Sequence, residues 1–110
     1  MTNNPSLEAN IAAAKTAVYE MLKSWNTWKS ARDEKTKSAC IAAYAAAYTN
    51  CKVFIENYLK HLYPNERKVP SRVMQDVRNL VGDMDVIEKT NEQRLHRAIH
   101  DIDQLSRDAA

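Results

Sequence analysis

Glu92, His96, His100 and Asp103 follow one another at spacings of four, four and three residues. On an α-helix that spacing returns every side chain to one flank, and two imidazoles one turn apart can chelate a divalent cation. His96, His100 and Asp103 are therefore the candidate metal ligands, although the chain has no HExxH pattern and no further ligand is identifiable in another segment. The competing reading is a solvated flank of Glu-His and His-Asp pairs, with Arg94 and Arg97 competing for the same carboxylates. Solvation is the simpler reading, so neither a metal nor another cofactor is expected.

A second route to chemistry runs through Arg78-Asn79-Leu80-Val81-Gly82-Asp83. This stretch resembles in part the catalytic motif of the HEPN ribonucleases, helical proteins in which an Arg followed by a polar residue precedes a His. The resemblance implies an RNA-cleaving site on a helical fold. The His position holds Asp83, and where Arg94 precedes His100 at a permissible spacing, Leu95 stands in place of the polar residue. Without the His, the better match lacks its proton-transfer group. Nucleophilic catalysis has less material. One glycine cannot build a phosphate-cradling loop, GxSxG is absent, and Cys40 and Cys51 share a segment with only His61. Asp83 and Asp85 straddle Met84 and would point apart on a helix. The expected protein is not an enzyme.

Binding chemistry is better supplied. Lys29, Arg32, Lys35 and Lys37, with Lys23 nearby, crowd one chain reversal, and Arg67, Lys68 and Arg72, with Lys60 and His61, crowd the next. These are candidate contacts to a nucleic-acid backbone, with Trp28 and Tyr63 as candidate stacking rings. In an antiparallel bundle the two clusters would lie at opposite ends of one monomer, and stacked copies could join them. The alternative is that charges collect where helices end in water, while Trp28 and Tyr63 close the ends of the core.

The elements that position these groups are helical. Leu7, Ile11, Ala14, Val18, Met21, Trp25 and Trp28 repeat at alternating spacings of four and three, which predicts an amphipathic helix from about Leu7 to Ala31 behind a short disordered tail at 1–5. Asn4 or Ser6 could cap it. Cys40, Tyr44, Ala47, Cys51, Phe54, Tyr58 and His61 form a second stripe at the same spacings. It predicts a helix from Asp33 or Glu34 to about Tyr63, before Pro64-Asn65. About 16 Å of helical rise separates the two cysteines, so they cannot bridge and are expected as buried free thiols. The other side of this helix carries Ala39, Ala42, Ala43, Ala46 and Val53, where an exposed helix ordinarily has Lys and Glu. A helix apolar on two sides is central in a bundle or covered by another chain. Val73, Val77, Leu80, Met84 and Ile87 give a third stripe beginning at Pro70 or Ser71, and Leu95, Ala98, Ile102, Leu105 and Ala109 a fourth. The phase slips between them at Asn91, with Gly82, an Asp85-Glu88 capping box and a Thr90-Gln93 box as the signals for a break.

The fold class that follows is all-α, an antiparallel helical bundle of three long helices with the third bent or broken between Gly82 and Thr90, in a single domain over 1–110. The length of 110 residues suits one core. Hydrophobic residues at 45% and charged residues at 27% are those of a globular domain. A net charge of +2 is too small to require a polyanionic partner. No stretch reaches the roughly 20 apolar residues of a membrane span, and the N-terminus has no basic segment leading into an apolar one, so a cytoplasmic protein without a membrane partner is expected. The expected function is a noncatalytic interaction or assembly module, similar in kind to small prokaryotic or phage proteins that assemble into complexes. Its interface to a protein partner or to copies of itself would be Ala39, Ala42, Ala43, Ala46 and Val53. Behind it stand a nucleic-acid-lining subunit and, third, a HEPN-like ribonuclease or His-based metal site.

Overall fold

The computed structural model describes residues 5–65, 68–82, 84, 86–88 and 91–109. Of the described residues 86% are helical and none lies in a strand. Four helices are present among them, α1 (Pro5–Ser30), α2 (Glu34–Leu62), α3 (Ser71–Val81) and α4 (Asn91–Ala109). The fold measures 50 × 24 × 19 Å. None of the described helices is long and apolar enough to cross a membrane.

α1 begins at Pro5, the last residue of the expected tail. Proline suits a first turn because its φ is already helical and its missing N–H would have had no partner there. Asp33 caps α2 with φ −100° and ψ 147°, its Oδ2 accepting the Thr36 N–H at 2.9 Å and the Thr36 hydroxyl at 2.8 Å. Those two donors hold the Asp33 carboxyl below its ordinary pKa. α2 stops where the Tyr63 N–H returns to the Leu59 carbonyl at 2.7 Å, one residue before Pro64. α3 ends at Gly82, which turns to an extended conformation while its N–H donates to the Arg78 carbonyl at 3.0 Å. A Cβ at Gly82 would stand 2.9 Å from that carbonyl oxygen, which accounts for the chain's single glycine.

The third long helix is thus broken outright rather than bent, giving four helices among the described residues. The break falls within the interval marked by the sequence, but its start is set differently. Asn91 opens α4 and is buried, its side-chain oxygen accepting the Glu88 N–H, while its own N–H donates to the Glu88 carbonyl at 3.1 Å. Asp85 and Thr90, the first residues of the two expected capping boxes, lie outside the described residues.

The core gathers Val18, Met21 and Trp25 of α1, Tyr44, Cys51 and Ile55 of α2, Val73 and Leu80 of α3, and Leu95, Ile102 and Leu105 of α4. Met84 and Ile87 of the α3–α4 linker join them, Met84 fully buried. Two rings fix that linker's backbone. Tyr44 donates its hydroxyl to the Met84 carbonyl at 2.7 Å, and Trp25 donates Nε1–H to the Glu88 carbonyl at 2.6 Å. Helix α1 lies along α2 and also packs on α4, which carries α3.

Tyr44→Phe keeps the ring but leaves the buried Met84 carbonyl without its donor, and should cost about 1–3 kcal/mol in urea unfolding. Tyr19→Phe, on an exposed ring, should stay within about 0.5 kcal/mol of wild type. Equal effects of the two would show that the linker is not anchored in this way.

Candidate functional site

The alanine side of α2 is external. Ala39, Ala42, Ala43 and Ala46 are all exposed, and Val53 and Ile41 are 44% and 47% exposed. The opposite side of the same helix buries Cys40, Tyr44, Ala47, Cys51, Ile55 and Tyr58 against the rest of the chain. Ile55 is buried where the sequence stripe ran through Phe54, which is half-buried, and His61 at the end of that stripe is exposed. Beside the alanines, Ala39 and Ala43 line a groove of about 550 Å³ whose far wall is Glu20, Lys23, Ser24 and Thr27 of α1.

The metal candidates do not converge. His96 and His100 are exposed, while Asp103 is drawn to Lys15 of α1 in a surface ion pair. Among the described residues no group of three or more His, Cys, Asp and Glu side chains is placed to hold a metal. Cys40 and Cys51 are buried free thiols. Burial pushes the Cys51 thiol up to about 11, so at neutral pH it is protonated and a poor nucleophile.

The basic candidates divide as their positions on α2 require. Lys29, Arg32 and Lys35 are exposed and Lys37 is half-buried at the α1–α2 reversal, while Lys68 and Arg72 are exposed beyond the other end of α2. The 29 residues of α2 span about 43 Å, so the two groups do not make one patch on a single chain. Arg67 lies outside the described residues. Lys29 rests its ammonium over the Trp25 ring, 5.1 Å from the centroid. Trp28 and Tyr63 pack half-buried against the core rather than standing free as stacking platforms.

Sequence reasoning passed over two polar sites between α3 and α4. At the first, a cavity of about 380 Å³ is lined by Arg78, Asn79 and Gly82 from the end of α3 and by Arg94, Arg97 and Asp101 of α4. Arg94 is clamped, donating through Nη2 to the Gly82 carbonyl at 2.9 Å and through Nη1 to Asp101 at 3.4 Å. Arg78 and Asn79 are the residues that carried the HEPN resemblance; no imidazole lines the cavity with them, and Asp83 is outside the described residues. The spacing of Arg94 and Arg97 was legible, but not their meeting with Arg78 across a chain break.

At the second site Asp76 of α3 stands beside Asp108 of α4, with Arg72 4.0 Å from Asp108 and Asp101 adding negative charge. The Oδ2 of Asp76 is buried without a hydrogen-bond partner. Desolvation first, then the neighbouring Asp108 and Asp101 charges, raise the Asp76 carboxyl to about 6. Asp108 is held low, chiefly by the hydrogen bond from Asp76, with help from Gln104 and Arg72. Below about pH 6 the pair holds a proton on Asp76, whose buried Oδ2 disfavours the charged form. Comparison of the chain with protein-family models, curated proteins and solved structures finds no match.

Because the folded Asp76 pKa lies above the ordinary 3.8, the native state binds the extra proton between about pH 4 and 6. The stability this confers is fully present below that window and is lost as pH rises through 6. Asp76→Asn supplies a permanent donor to Asp108. It should therefore raise stability at pH 7.5 by on the order of 1 kcal/mol and add little at pH 4, as read from unfolding midpoints. A gain of the same size at both pH values would show that Asp76 carries no proton in the native state.

Proposed function

We propose that this chain is a noncatalytic assembly module, a bundle of antiparallel neighbouring helices that pairs with a second copy of itself through the outer face of α2. The observation that carries this reading is a second heptad seam on α2. Lys35, Ala39, Ala42, Ala46, Thr49, Val53, Glu56 and Lys60 recur at alternating spacings of four and three, and all are exposed. Small side chains let two helix axes approach closely, and the seam has the periodicity of helix pairing. Thr49 does not interrupt it, because its hydroxyl donates back to the Ala45 carbonyl at 3.0 Å and its methyl group remains for contact.

Charge at the ends of the seam favours a second copy and sets its direction. An antiparallel pair centred between Ala45 and Ala46 places Lys35 across from Glu56 of the partner subunit, twice by symmetry. A parallel pair would set like charges opposite one another.

Sedimentation velocity at micromolar concentration should give a dimer. Ala46→Glu, which buries an unpaired carboxylate at the centre of the seam, should weaken it by about 3 kcal/mol, roughly a hundredfold in Kd, with helicity unchanged. Lys35→Glu should weaken the pair, and Lys35→Glu with Glu56→Lys should restore it. A wild-type monomer at 100 µM, or a dimer indifferent to Ala46→Glu, would overturn this assignment.

Nucleic-acid binding is the second reading, favoured by one consequence of the same pairing. Antiparallel α2 helices bring the Arg32-Lys35 end of one copy beside the Lys68-Arg72 end of the other, joining basic groups that a single chain keeps apart. Binding to a single-stranded oligonucleotide should then fall steeply with salt and be lost together with the dimer in Ala46→Glu. Binding that survives as a monomer would place the contact elsewhere.

A further inference from the structure

The cavity at the α3–α4 junction lies away from the outer face of α2, and its hydrogen-bonding groups are unevenly matched. Three acceptors of its described lining are already engaged. The Gly82 carbonyl and the Asp101 Oδ2 take Arg94, and the Asn79 Oδ1 takes the Gln75 amide at 2.9 Å. The described donors are less committed. Arg78 and Arg97 are exposed, and among the described residues neither guanidinium is held by a hydrogen bond or ion pair. With its Oδ1 committed, Asn79 has an amide N–H left to offer, and Arg94 has N–H groups beyond the two it uses.

The charge is as one-sided as the hydrogen bonding. Arg78, Arg94 and Arg97 face the single Asp101 carboxylate among the described lining residues, leaving two positive charges in excess. Arg94 and Asp101 are only 21% and 18% exposed and fix each other, so one guanidinium is set in place before any ligand arrives. The guanidinium fork matches tetrahedral oxyanions, and two further arginines at the rim can close on the same group.

We propose that this cavity binds a phosphomonoester dianion, with Arg94 as the fixed anchor and Arg78 and Arg97 as the closing pair. A phosphomonoester carries about −1.5 to −2 charge at neutral pH, which suits three guanidiniums facing one carboxylate among the described lining residues, whereas a phosphodiester carries half of that or a little more. The volume of about 380 Å³ is near the low end of small-ligand sites, enough for a phosphate and part of the molecule that bears it. Gly82 completes the site by turning its carbonyl onto Arg94, which no side chain at this position would permit without displacing the Arg78 carbonyl.

The test is calorimetric titration of the full chain with four probes, namely inorganic phosphate, a nucleoside 5′-monophosphate, the same nucleoside without phosphate, and a dinucleoside phosphodiester. Binding of the monophosphate with none of the bare nucleoside is expected. Tighter binding of the monophosphate than of inorganic phosphate identifies an ester as the source of the group, and equal binding identifies free phosphate. Arg78→Ala and Arg97→Ala should each weaken binding at least tenfold while leaving the circular dichroism spectrum unchanged, since both side chains are exposed and unpaired. Arg107→Ala, an exposed arginine of α4 outside the cavity, should leave it unaltered. Absence of binding by both phosphates, equal binding of the phosphodiester, or indifference to both cavity substitutions would overturn the assignment.

Discussion

Burying a break between two helices requires partners for the backbone groups that the helices no longer satisfy, and here two aromatic side chains provide them. Tyr44 of α2 and Trp25 of α1 reach the linker carbonyls of Met84 and Glu88. Each ring contributes large apolar area to the core and directs its one polar group at a linker carbonyl, the Met84 carbonyl buried and the Glu88 carbonyl partly so. The Glu88 peptide also meets Asn91, whose buried side chain would otherwise be costly. Through these bonds the first helical pair sets where α3 stops and α4 starts, and Met84 is drawn into the core as a plug between them.

That junction determines what the polar residues of α3 and α4 can do. At one end the turn at Gly82 brings its carbonyl to Arg94 and sets Arg78 and Arg97 around one cavity. At the other, Asp76 and Asp108 are close enough to share a proton, with Arg72 and Gln104 favouring charge on Asp108. Like charges are thus gathered at both ends of a short helix pair. The acid pair relieves its repulsion by protonation, whereas arginine cannot lose its proton at any ordinary pH and must find an anion or water.

α2 is built for two environments. Its tyrosines and cysteines project into the core, while nearly opposite them alanines, a threonine and a valine remain in water. The reason is topological. α2 lies mainly along α1, while α4 packs on α1 and α3, so none of the described helices covers the outer seam. Solubility alone would have favoured Lys and Glu at Ala42 and Ala46, and helix propensity explains why alanine is tolerated there without explaining why charge is avoided.

Helix content, the stripes of α1 and α2, the start of α2 near Asp33 or Glu34, the start of α3 after Pro70 and the interval containing the break were legible in the sequence, because periodicity and helix-start signals are local properties of adjacent residues. The stripe through Cys40, Tyr44, Cys51 and Tyr58 was read correctly for the same reason. Which side of α2 would be covered was not legible, since both sides are apolar and coverage depends on where the other helices lie. Nor was the meeting of Arg78 with Arg94 and Arg97, or of Asp76 with Asp108, because those groups are joined across a helix break anchored by Tyr44, 40 residues from Met84, and by Trp25, 63 residues from Glu88. The sequence by itself determined the helices and their buried stripes; only the tertiary structure decided which apolar face stays outside and which charges converge, because long-range packing, not local spacing, brings those groups together.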